Sequence, residues 1–79
     1  METVNYKVGD IVELSDYVQY VYRGFNRKLG SYVYEPIEPR VYSIFGTLTE
    51  EECVEYGYNL GAVPFAWKMY VNVTKVRKK

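Results

Sequence analysis

Seventy-nine residues with ten basic and ten acidic side chains balance to a formal charge of zero, which removes the whole-domain attraction that a strongly basic nucleic-acid binder shows. There is no histidine to exchange protons near neutral pH, and a single cysteine, Cys53, can form neither an internal disulfide nor a multi-cysteine metal site. Fourteen aromatic residues, ten of them tyrosine, must supply the core of one small domain spanning residues 1–79, with residues 75–79 as a basic tail.

In chain order, residues 6–14 read as a turn and a strand. Gly9 permits a backbone conformation closed to other residues, and Asp10 bonds the chain beside it. Val12 and Leu14 then share one face, with Ile11 and Glu13 on the other. Residues 17–22, rich in tyrosine and valine, form a second extended segment. Residues 25–30 are the loop of a hairpin, with Asn26 and Gly30 as its turn residues, and residues 31–35 are the partner strand. Pro36 and Pro39 interrupt that strand and mark an edge or a bend, since proline cannot donate to a sheet ladder. Residues 40–45 resume the strand pattern and end at Gly46.

One short helix is predicted over Glu50–Tyr56. Thr49 and Glu52 form a capping box, Leu48 and Cys53 are spaced to close a hydrophobic staple, and Gly57 stops the helix. Residues 58–64 form a loop leading to the stretch around which the chain is expected to be organised, residues 65–76. There Trp67, Met69, Val71 and Val73 alternate with Lys68, Tyr70, Asn72 and Thr74, the pattern of one half-buried strand with its apolar row inward. Five or six strands with one helix before the last predict a mainly β fold, a small antiparallel β-barrel or curled sheet.

The run Lys7-Val8-Gly9-Asp10-Ile11-Val12-Glu13-Leu14 resembles the opening strand of small SH3-like β-barrels. The fuller layout, carried by residues 6–14, 40–45 and 66–76, is similar to the ASCH branch of the PUA-like domains. That resemblance implies a β-barrel related to RNA-associated modules.

The chemistry points away from catalysis. Cys53 as a thiolate nucleophile would have no histidine base and four neighbouring glutamates against it; a small apolar group packed under the helix is the ordinary role. Asp10 and Asp16 flank one strand as a hypothetical cation pair, but turn-forming aspartates explain both, and capping and solvation explain the glutamates. No cofactor is implied. Binding is better supported. Arg23, Phe25, Arg27 and Lys28 sit on the hairpin whose arms carry Tyr20, Tyr22, Tyr32 and Tyr34, and Lys75, Arg77 and Lys78 add a basic tail; the expected face is Arg23, Arg27, Lys28, Tyr22, Tyr32 and Tyr34 with that tail. Cations that hold phosphates beside rings that stack on unpaired bases are the combination used by RNA and single-strand binders.

The alternative is a protein-interaction module, since tyrosine and arginine are enriched at interface hot spots. Its partner would be another protein or a second copy in a homodimer through an edge strand. Small non-catalytic domains of this kind are often encoded by viruses or mobile elements and act by occluding a larger host complex. A single thiol fits a reducing cytoplasm, the host's if the chain is viral. No apolar run reaches the roughly 18 residues of a membrane span, and the opening residues do not read as a signal peptide.

Overall fold

The computed structural model describes residues 5–15, 17–38 and 47–78. Five strands, β1 (Ile11–Glu13), β2 (Gln19–Asn26), β3 (Ser31–Pro36), β4 (Phe65–Trp67) and β5 (Lys75–Arg77), form one antiparallel sheet in the order β4-β3-β2-β1-β5. Its two outer strands do not pair, so the sheet is curled and open, the second of the two forms expected. The helix α1 (Glu50–Tyr56) has the predicted bounds. Thr49 Oγ1 accepts from the Glu52 amide (3.1 Å), Glu52 Oε1 accepts from the Thr49 amide (2.8 Å), and Gly57 ends the helix in the left-handed region. Seven residues are too few for a helix to persist alone, so these caps and the burial of Cys53 hold it.

The hairpin closes one residue pair later than expected. Phe25 and Asn26 belong to β2, and Asn26 Oδ1 accepts from the Lys28 (2.9 Å) and Leu29 (3.0 Å) amides of the turn. Strand β4 pairs only with Tyr32, Val33 and Tyr34, so buried Pro36 ends β3 on the side β4 does not reach, and a bend follows at residues 37–38, as its proline implies. Strand β2 begins at Gln19, because Tyr17 (φ 63°) makes a turn whose amide reaches the Leu14 carbonyl at 2.9 Å. Pro39 and the expected strand over residues 40–45 fall outside the described residues.

The main correction concerns residues 65–76, which are not one strand. β4 ends at Trp67, β5 begins at Lys75, and the two lie on opposite edges of the sheet. Residues 68–74 therefore carry the chain across four strand spacings, about 19 Å, within reach of seven residues at about 3.3 Å each. Tyr70, Val71 and Val73 of this strap pack on a core of Tyr6, Val12, Leu14, Tyr20, Tyr22, Tyr34 and Phe65. Alternation put Trp67 on the correct face, but at its uncovered end, where it is 42% exposed; Met69, beyond the strand, is 64% exposed. Lacking strand partners, the strap is fixed by phenols. The Val71 amide donates to Tyr34 Oη (3.2 Å), Tyr34 and Tyr6 hydroxyls bond at 2.6 Å, and Tyr6 Oη donates to the Val71 carbonyl (3.2 Å).

These rings hold their protons tightly. Burial raises the Tyr6, Tyr22 and Tyr34 hydroxyls above the ordinary 10.0, and the neighbouring phenols, Tyr70 and Tyr32 included, add to it. The unfolded chain releases those protons above pH 10 while the folded chain retains them, so their contribution is full below pH 10 and lost as pH rises. Urea denaturation between pH 7 and 12 should show stability easing from about pH 9, where the Cys53 thiol of the unfolded chain ionises while the buried one does not, and falling more steeply above pH 10. Tyr22→Phe should make the fall above pH 10 shallower.

Candidate nucleic-acid interface

The register determines which rings share a face. Tyr22 pairs with Tyr34, but the next pair is Gly24 with Val33, so Arg23 is the extra residue of a β-bulge. Gly24 supplies its φ of 96°, and a Cβ there would meet Val8 Cγ2 at 3.0 Å. The one-residue shift transfers Phe25 to the tyrosine face, opposite Tyr32, with ring centroids 4.9 Å apart. On the other side of β3, Tyr32 pairs with Trp67. Phe25, Tyr32 and Trp67 thus form a row across three strands, beyond the end of the buried core. Phe25 is 50% exposed, Tyr32 half-buried, and Tyr70 of the strap stacks on Tyr32 at 4.2 Å and 30°.

Among the expected site residues, Tyr32 joins this row, and Arg27 and Lys28 stand exposed on the adjoining hairpin turn. Tyr22 and Tyr34 do not join it. Both are buried in the core, where their rings pack at 5.2 Å, so neither offers a face to a ligand. Arg23, next to Tyr22 in the strand, lies on the opposite face and pairs with Glu35 at 3.8 Å. Lys78 Nζ binds Asp10 Oδ2 (3.1 Å) and the Asn5 carbonyl, which makes it part of the folded framework. Asp10, a buried turn residue, also accepts from the Lys7 amide (3.1 Å). Lys75 and Arg77 flank Val76, which packs on the core side, so alternation turns them to the opposite face at the far edge of the sheet. Hairpin and tail cations do not converge.

The opposite face carries α1 and the short 3-10 turn Leu60–Ala62 over its β3 half. Asn26 Nδ2 donates to the Tyr58 hydroxyl (3.3 Å), the Asn59 amide donates to Glu35 Oε2 (3.4 Å), and Val33 is fully buried. Cys53 is buried, and its thiol is pushed up first by burial and then by Glu52, Glu35 and Glu50, which suits packing and opposes nucleophilic chemistry. Among the described residues no cluster of three or more acidic or sulfur ligands is placed to hold a metal ion, and no helix is long and apolar enough to cross a membrane. Asp16 lies outside the described residues.

Two contributors were not legible in the sequence. Trp67 was assigned to the interior, because alternation reports a face and not how far along it the core extends. Lys68, exposed directly after Trp67, reaches the tip end of the sheet only because β4 runs antiparallel to β3. No family model, curated protein or solved structure matches the chain.

Two substitutions separate framework from surface. Lys78→Ala removes the ammonium that binds the buried Asp10 carboxylate and should cost about 1–3 kcal/mol in urea denaturation. Arg27→Ala should leave stability within about 0.5 kcal/mol of the parent. Gly24→Ala meets both a left-handed backbone and Val8, and should lower stability by about 1–2 kcal/mol.

Proposed function

We propose that the chain is a non-enzymatic module that binds RNA or single-stranded DNA by stacking unpaired bases on the ring row Phe25–Tyr32–Trp67. The observation that carries this reading is the row itself: three aromatic residues aligned by strand register at the end of the sheet where Arg27, Lys28 and Lys68 are exposed. Partly exposed rings beside exposed cations are the elements of a stacking platform. Zero net charge agrees with a binder whose affinity comes from rings more than from a phosphate-wide field. The resemblance to RNA-associated barrels points the same way, and the buried thiol of Cys53 suits work in a reducing cytoplasm.

One observation favours a protein partner as the second reading. Val54 (70% exposed) and Leu60 (50%) lie together within a rim of Glu50, Glu51 and Glu55, a surface suited to a basic, apolar segment. A second copy adding to the outer edge of β5 belongs to the same class.

Trp67 is the chain's one tryptophan, so its fluorescence reports the site directly. Titration with an eight-nucleotide single strand should quench it, and a duplex of equal length should bind more weakly. Phe25→Ala and Trp67→Ala, followed by anisotropy of a labelled strand, should each lose roughly 5- to 150-fold in affinity, the equivalent of about 1–3 kcal/mol per stacked base. With about three phosphates held, log K should fall with log salt at a slope near −2. Absence of binding to any single strand, or affinity untouched in both ring variants, would overturn the reading.

A further inference from the structure

The helix side of the sheet is only half covered. There α1 and the 3-10 turn lie over the β3 half, where Val33 is fully buried. Across the β2-β1-β5 half the side chains of that face stay accessible. Val8, beside Gly24, is 66% exposed, and Ile11 and Val21, opposite each other in register, are half-buried outside the core. These three line an open depression bordered by Arg23, and a second one continues from Ile11 to Lys75 and Arg77. Glu13, opposite Lys75, is the acidic residue among them. This half is apolar in the middle and mainly basic at its margin.

Four strand spacings make the sheet about 19 Å wide, room for two helices of about 10 Å laid side by side. Among the described residues the chain supplies one. With buried Cys53 turned to the sheet, steps of about 100° per residue put Val54 on the flank of that helix and Glu51 and Glu55 on its outer side. Val54 and Leu60 form an apolar spot within a rim of Glu50, Glu51 and Glu55. The helix therefore presents an apolar centre with an acidic rim, and the bare half of the sheet an apolar centre with a basic margin. A chain of zero net charge meets no long-range repulsion from its own copy.

We propose that a second copy of the chain completes this face. The two chains pair about a two-fold axis midway between facing sheets, each α1 seated over Ile11 and Val21 of the other copy, with Glu51 and Glu55 against Arg77 and Lys75. Because helix and bare half lie on the same side of one molecule, a single rotation satisfies both contacts and the assembly closes as a dimer. Two helices then share one layer between two sheets, and opposite charges at the rim fix which way the copies meet. The tyrosine faces stay outermost, so pairing neither needs nor blocks the single-strand site proposed above.

Sedimentation equilibrium of the full chain, from about 5 to 500 µM, should move from 9.3 kDa toward twice that mass and stop there, the range suiting an interface of about 1,000 Å² or less. Val54→Asp, Glu55→Lys and Arg77→Glu should each weaken pairing at least about tenfold, and circular dichroism should show all three folded. An equimolar mixture of Glu55→Lys and Arg77→Glu chains should pair within about threefold of the parent. In that mixed dimer one contact is native and the other has both charges reversed. A mass that stays at the monomer throughout overturns the proposal. So does growth past the dimer, which means open head-to-tail chaining. A dimer indifferent to Val54→Asp and Glu55→Lys overturns it too, since pairing would then run through the β5 edge.

Discussion

The structure depends on a hydrogen-bonded circuit through two phenols and one peptide. From the Val71 amide to the Tyr34 hydroxyl, to the Tyr6 hydroxyl, and back to the Val71 carbonyl, the donors and acceptors of an irregular segment are satisfied inside an apolar core. A chain crossing a sheet face without strand partners would otherwise bury an unpaired amide and carbonyl, at about 1–3 kcal/mol each. Phenylalanine would fill the same volume and leave those groups unmet. The abundance of tyrosine is therefore structural before it is functional: a short open sheet is covered by its own chain, and tyrosine covers it with apolar surface and a polar end at once.

That solution creates the exposed row as a consequence. The strap crosses near the middle of the tyrosine face, so the core ends before the sheet does. Phe25, Tyr32 and Trp67 project beyond it, with the strap's first ring, Tyr70, leaning on the central one. The bulge at Arg23 completes the set, because without the shift Phe25 would face the helix side. One local irregularity, allowed by Gly24, therefore brings Phe25 to the aromatic face while Arg23 stays on the helix side with Glu35.

Charge follows the same partition. Among the described residues basic side chains are dispersed: Arg23 with Glu35 toward the helix side, Lys78 on Asp10, Lys75 and Arg77 at the far edge, and Arg27, Lys28 and Lys68 at the hairpin-tip end. Only the last group adjoins the rings. With Lys75 and Arg77 turned to the opposite face, no continuous basic surface exists among the described residues. Any attraction for phosphate is local and modest, and rings carry what specificity the surface has.

Local chemistry in the sequence determined the elements whose causes are local. The capping box at Thr49 and Glu52 with the stop at Gly57 set the helix to its bounds. Asn26 and Gly30 set the hairpin turn, and Val12 and Leu14 set the inward face of the first strand, since each depends on groups within a few residues of one another. Residues 65–76 show the opposite case. Their period of two is real for Phe65, Trp67, Val71 and Val73, yet alternation is blind to whether one sheet edge or two receive the strand, and to where the core stops. The tertiary structure alone decided that the run is split, that Trp67 is part-exposed and that Tyr22 and Tyr34 are buried. Those outcomes depend on pairing between residues some 30 to 60 positions apart and on a one-residue bulge, and no short-range signal encodes either.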